Sequence, residues 1–151
     1  MTQPIPNPSQ PLTPYIVVRG APAAIEFYRK AFDAKERFRL KEPSGKVGHA
    51  ELEIGGALLM IADEYPDFGA LSPVSVGGTC VSLHLSVEDV DQVVKRAVDA
   101  GATVLRPLRD EFFGDRTAML SDPFGHRWHL ATRREDVSPA EMQRRMDAAY
   151  A

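Results

Sequence analysis

VSLHLSVEDVDQVVKRAVDAGATVLRPLRDEFFGDRTAMLSDPFGHRWHLAT, residues 81–132, is the stretch whose reading decides the fold. Its first seven residues alternate. Val81, Leu83, Leu85 and Val87 share one side, and Ser82, His84 and Ser86 the other, which is the period-two pattern of a half-buried strand. A helix is predicted over 88–100, with Ser86 as its cap and Gly101 as its stop. A second strand over 103–108 is interrupted near Pro107, and a third covers 117–120. Asp122-Pro-Phe-Gly125 reads as a turn. The fourth strand, 127–132, sets Trp128 and Leu130 opposite Arg127 and His129. The order is strand, helix, then three strands.

Working outward, the N-terminal half repeats that order. Residues 15–18 form a short apolar strand. Pro22 suits the first position of a helix over 22–33, whose Ile25, Phe27, Tyr28, Ala31 and Phe32 fall at near-helical spacing. Residues 36–41 alternate as an edge strand. Ala50, Leu52 and Ile54 then alternate with His49, Glu51 and Glu53, Gly55-Gly56 signals a hairpin, and 57–62 returns. One such module leaves a sheet with open edges and one covered face, so two modules side by side are the natural solution. The expected fold is therefore α+β: two βαβββ modules in a curved eight-stranded mixed sheet, with helices on the convex face. Module one spans 13–63 and module two 79–132. The aperiodic, Gly- and Pro-rich segment 64–78 is their linker. A Pro-rich arm over 1–12 is expected to be extended. Ser138-Pro-Ala-Glu141 is a capping box that starts a C-terminal helix within 133–151.

Composition narrows the function. The formal net charge of −3 lacks the basic surplus of a nucleic-acid reader. No apolar run approaches the roughly 20 residues that cross a bilayer, and MTQPIPNPSQP has no signal-peptide pattern, so a cytoplasmic location is expected. The lone Cys80 excludes an internal disulfide, and its Val/Leu-rich setting predicts a small buried thiol. Three of the four histidines, His49, His84 and His129, fall on the polar faces of strands, which would line the concave side of the sheet if helices cover the apolar faces.

Four segments carry a family resemblance: PYIVVRGAPAAIEFYRKAF (14–32), VGHAELEIGGALLMIADE (47–64), SLHLSVEDVD (82–91) and FFGDRTAMLSDPFGHRWHLAT (112–132). Over about 13–132 the chain resembles the glyoxalase/bleomycin-resistance/dioxygenase, or vicinal oxygen chelate, superfamily, in particular its glyoxalase-like branch. The resemblance implies paired βαβββ modules, a pocket inside the curved sheet, and a homodimer. Metal-dependent members place one ligand on the first and one on the last strand of each module. Here those places fall at or near Thr13, Met60, Ser82 and His129. His129 is the one good donor among them, so the usual divalent-metal site is expected to be incomplete, and with it the metal-dependent glyoxalase chemistry.

Three readings follow. The first is a metal-free, cofactor-free small-molecule binding protein using Met60, Ser82, His84, Arg127 and His129. The second is an enzyme: either a metal-dependent lyase, isomerase or dioxygenase with a divalent metal on His84, His129 and Glu51, or a metal-free one with His84 or His129 as general base. The third is a structural or regulatory dimer with a vestigial pocket. Gly114-Asp115-Arg116 is read as turn and ion-pair chemistry, and Trp128 as core.

Overall fold

A computed structural model describes residues 10–151; most of the predicted arm lies outside the described residues. The element order is β1 (Tyr15–Val18), α1 (Ala21–Phe32), β2 (Lys35–Lys41), β3 (Val47–Ile54), β4 (Ala57–Asp63), a 3-10 turn (Pro66–Phe68), α2 (Pro73–Val76), β5 (Ser82–Ser86), α3 (Val90–Asp99), β6 (Thr103–Asp110), β7 (Asp115–Ser121), β8 (Arg127–Arg133) and α4 (Pro139–Ala149). This is the expected α+β order of two βαβββ units. The eight strands hydrogen-bond as two four-stranded mixed sheets, ordered β1-β4-β3-β2 and β5-β8-β7-β6. In each, the first strand runs parallel to the fourth and the rest are antiparallel.

Local chemistry fixes these elements. The Asp63 carboxylate accepts from the backbone N–H of Gly20 (2.9 Å) and Ala21 (2.8 Å), capping α1 from the end of β4. It also accepts from Val47 N–H at 2.8 Å, so one buried side chain ties helix start, β3 and β4. Gly55 (φ 58°) and Gly56 (φ 81°) both adopt the left-handed conformation that a tight hairpin demands. In the second unit the cap is Asp89, which accepts from Gln92 N–H at 3.2 Å, rather than Ser86. Val87 N–H still bonds Ala131 O, which keeps the chain extended beyond Ser86 and delays the helix. Ser138 caps α4 as its motif predicts, and Arg145 ties that helix to Phe112 O and Glu135.

The core is shared. Ile25, Tyr28 and Phe32 of α1 and Val90, Val93 and Val94 of α3 bury against the inner faces of both sheets, and the two helices pack on each other. Trp128 of β8 lies 4.5 Å from the Phe32 ring and 5.4 Å from that of Tyr28, which places it in the core as its alternation predicts. Cys80 is exposed, not buried. The apolar pattern of its neighbours misled because Val81 is itself 60% exposed and the strand begins only at Ser82. Among the described residues no helix is long and apolar enough to cross a membrane.

Candidate functional site

With helices filling the inner faces, the opposite faces of the two sheets stay open. Their chemistry is set by strand register. In the second sheet the parallel β5/β8 ladder pairs Ser82 with Arg127 and His84 with His129. Those histidines meet, Nδ1 to Nδ1, at 2.7 Å, with ring centroids 4.8 Å apart. The contact requires one ring to donate and the other to accept, so the pair holds complementary tautomers. Burial, and then the charges of His84 and Arg106, push the His129 imidazole below its ordinary range. Further along the row, Met119 lies across from His129 and Arg106 across from Met119. Arg106 is held by Glu111 (2.7 Å) and Thr117 (3.2 Å), and Thr117 also donates to Glu111 at 3.0 Å. Burial works to raise the Glu111 carboxyl, but Arg109, Thr117 and Arg106 outweigh it and leave it lowered.

In the first sheet the corresponding row is Tyr15, Met60 and Glu51, at one level on β1, β4 and β3. The Tyr15 hydroxyl lies 2.7 Å from His49 Nδ1, and His49 Nε2 lies 3.1 Å from Glu51 Oε2. Glu51 is buried and its Oε1 has no hydrogen-bond partner among the described residues. Burial, and then the Glu51 charge, raise the Tyr15 phenol.

The register revises which residues occupy the equivalent places on first and last strands. Opposite His129 stands His84, not Ser82, and opposite Met60 stands Tyr15, not Thr13. The four places therefore hold Tyr15, Met60, His84 and His129. Sequence alternation put the right side chains on the right face but left a two-residue ambiguity along the strand, which only pairing resolves.

The expected binding residues are only partly brought together. Ser82 and His84 border a cavity of about 460 Å³ between the 10–14 segment, β4 and β5, walled by Leu58, Leu59, Leu83 and Trp128. His129 touches His84. Arg127 is exposed on the same face, bordering a separate 330 Å³ hollow with Leu105 and Ser121. Met60 belongs to the other sheet. Glu51 does too, engaged with His49, so the set His84, His129 and Glu51 is not one cluster in the chain. Among the described residues no three His, Cys, Asp or Glu side chains are grouped to hold a metal. Met60 and Tyr15, on the first sheet, offer only a thioether and a phenol bonded to His49, a poor pair for a hard divalent ion. Asp115 and Arg116 make ion pairs with Arg133 and Asp91, as read from the sequence. The sequence reading missed Tyr15, seen there only as part of an apolar run, and Arg106 and Glu111, which need the bulged β6 to meet.

A sequence profile of the glyoxalase/bleomycin resistance protein/dioxygenase superfamily matches residues 11–130. An uncharacterised protein of Mycobacterium bovis is 43% identical over 145 residues, covering 94% of this chain and 95% of that protein. Among solved structures, TioX from Micromonospora sp. ML1 is 27% identical with a TM-score of 0.65, covering 81% of this chain and 97% of that one. A gene product of Arabidopsis thaliana is 28% identical with a TM-score of 0.65, covering 80% and 96%.

Proposed function

The chain belongs to the glyoxalase/bleomycin resistance protein/dioxygenase superfamily, and from that premise we propose that it binds a small molecule with an anionic or carbonyl-bearing head on the open face of its second sheet, without a resident metal. The His84–His129 pair carries this reading. With both rings neutral and their Nδ1 atoms engaged with each other, one Nε2 bears a proton and the other a lone pair. His129 Nε2 is then turned to a ligand, while His84 Nε2 lies 3.5 Å from Ser86 Oγ. The lowering of His129 supports the neutral form near pH 7. Arg127, on the same face as His129, adds a cation. His84 and His129 are two good donors with no third ligating side chain grouped with them among the described residues, which favours binding over metal-assisted catalysis.

The test is a thermal-shift screen of aromatic carboxylates and ketones, followed by calorimetry on the hits. His84→Ala and His129→Ala should each weaken binding by about tenfold or more, the cost of a hydrogen bond to a charged group. Stoichiometric metal in protein purified without a metal-affinity tag, lost in either variant, would make the metal-dependent enzyme the better reading.

A homodimer is part of the proposal. Phe38, Leu40 and Tyr15 are 41%, 61% and 49% exposed on the first sheet, and Val81 and Leu105 60% and 47% beside the second, apolar side chains that a two-fold partner would cover. Light scattering should give about twice the 16.6 kDa chain mass; a monomer mass at micromolar concentration would exclude it.

A further inference from the structure

Strand β1 covers β4 only from Met60 onward, which leaves Leu58 at the open end of that edge. Residues 10–14 cross this end without pairing to it as a strand, since Pro11 and Pro14 have no N–H to give a ladder. The edge is served from two points instead. Pro14 O accepts from Met60 N–H at 2.9 Å. At Leu58 a side chain takes the place of a neighbouring strand: Gln10 Nε2 donates to Leu58 O and Gln10 Oε1 accepts from Leu58 N–H, both at 2.9 Å. A carboxamide has the donor and the acceptor of a peptide unit, and only this orientation satisfies both backbone groups. Thr13 Oγ1 donates to Gln10 O at 3.2 Å and closes the arch between the two points.

The arch borders the cavity of about 460 Å³ between β4 and β5. Leu58, Leu59, Leu83, Leu85 and Trp128 wall it, and no Asp, Glu, Lys or Arg lines it. That volume suits a small aromatic molecule. A charged body would leave water with no opposite charge to meet, so the cavity selects an uncharged one. Leu12 also borders it yet is 88% exposed, so its apolar surface is free to close on a body seated there. The hold on the arch is modest: two neutral hydrogen bonds from one side chain, set against the cost of ordering a short segment.

We propose that residues 10–14 are a latched strap over a second binding site, for an uncharged aromatic or aliphatic molecule between the two sheets, entered when the Gln10 amide releases Leu58. The site is distinct from the open face of the second sheet. His84 borders both, but Arg127 and His129 do not line the cavity.

Trp128 is the only tryptophan of the chain and stands in the cavity wall, so its fluorescence reports the site. The full-length protein is titrated with bromobenzene, an uncharged heavy-atom quencher, and quenching should saturate. Ala57→Phe, which fills the cavity from an exposed hairpin position, should weaken it about tenfold or more. Para-bromobenzoate has the same ring and bromine with a charge. It should leave Trp128 unquenched whether or not it binds the open face, so failure of that reading does not mimic failure here. The latch is read from the Leu58 amide by NMR hydrogen exchange, with the Met60 amide as internal reference. Gln10→Ala should speed Leu58 exchange about tenfold or more, and bromobenzene entry in stopped flow by a similar factor. Gln10→Glu keeps the acceptor and loses the donor. Its Leu58 protection should fall at about pH 7 and return, relative to Met60, below about pH 4, where the carboxyl is protonated. Quenching that does not saturate, or is as strong in Ala57→Phe or with para-bromobenzoate, overturns the proposal, as does a Leu58 amide that exchanges no faster in Gln10→Ala.

Discussion

Tyr28→Phe removes one oxygen from the tie between the two units. Tyr28 is fully buried on α1, and its hydroxyl donates to Asp122 Oδ2 at 2.5 Å, in the turn between β7 and β8. Trp128 Nε1 donates to the same oxygen at 2.9 Å, and the N–H groups of Phe124 and His126 donate to Oδ1 at 2.9 and 3.0 Å. Burial, and then the Asp122 charge, hold the Tyr28 phenol well above its ordinary value, so it remains a donor. The substitution keeps the ring and its contacts with Phe32 and Trp128. A hydrogen bond to a charged acceptor is worth about 1.5–3 kcal/mol. Asp122 retains three donors and is not stranded, which argues for about 2 kcal/mol. At about 2–4 °C per kcal/mol for a chain of this length, Tm should fall by about 4–8 °C. Asp122→Asn should cost more, because its NH2 group must face one of the four donors. Equilibrium urea unfolding followed by the fluorescence of Trp128 reads both, with a lower midpoint and an unchanged slope. Chain concentrations must match, since the proposed dimer would link stability to concentration. A Tyr28→Phe change within about 0.5 kcal/mol of wild type, the scale of an uneventful surface substitution, would refute the assignment.

Three further outcomes are expected. His129 should titrate below the ordinary histidine range by NMR, and His84→Ala should move it only part of the way back, because burial is the larger cause. The sign follows: a ring kept neutral in the fold but free to charge when unfolded contributes stability above about pH 6.5 that is lost as pH falls through that value. Hydrogen bonds from Ser72 and Ser75, with Arg19 beside them, hold the Glu64 carboxyl down to about 2, so its contribution is present above the ordinary carboxylate range and lost as pH falls from about 4.3 toward 2; Ser75→Ala should flatten that part of an acid-unfolding curve. Gly114→Ala should destabilise the fold by more than about 1 kcal/mol, measurable by the same urea titration, because φ is +101° and the new Cβ would lie 2.3 Å from Glu135 O.

How much of this was legible in the sequence depends on what each inference required. Alternation fixed faces well. His84 and His129 were placed on one polar face, and Leu83, Leu85, Trp128 and Leu130 on the other, because side chains in a strand flip at every residue whatever its partners do. Offset along the strand was not legible, because moving a strand by two residues preserves every face. Ser82 and His84 are equally good first-strand candidates until the ladder sets His84 against His129, and Thr13 yields to Tyr15 for the same reason. Helix starts erred by a cap, since Ser86 and Asp89 are both good caps and a single strand hydrogen bond from Val87 decided between them.

The two open faces follow from the same logic carried one step further. Both units place a first-strand residue beside a last-strand residue, yet the outcomes differ. In the second sheet the pair is two imidazoles, with Arg106 and Arg127 on the same face, the basis of the proposed preference for anions and carbonyls. In the first, Tyr15 meets a thioether instead and turns to His49, which turns to the buried Glu51. Pseudo-symmetric backbones thus carry unlike sites because the difference lies in Tyr15 against His84 and in Met60 against His129. Exchanging one member, as in Met60→His, should draw Tyr15 away from His49. The test is the Tyr15 ring signal by NMR, which should move from its wild-type position while His49 keeps its contact with Glu51; an unmoved Tyr15 would refute the reasoning.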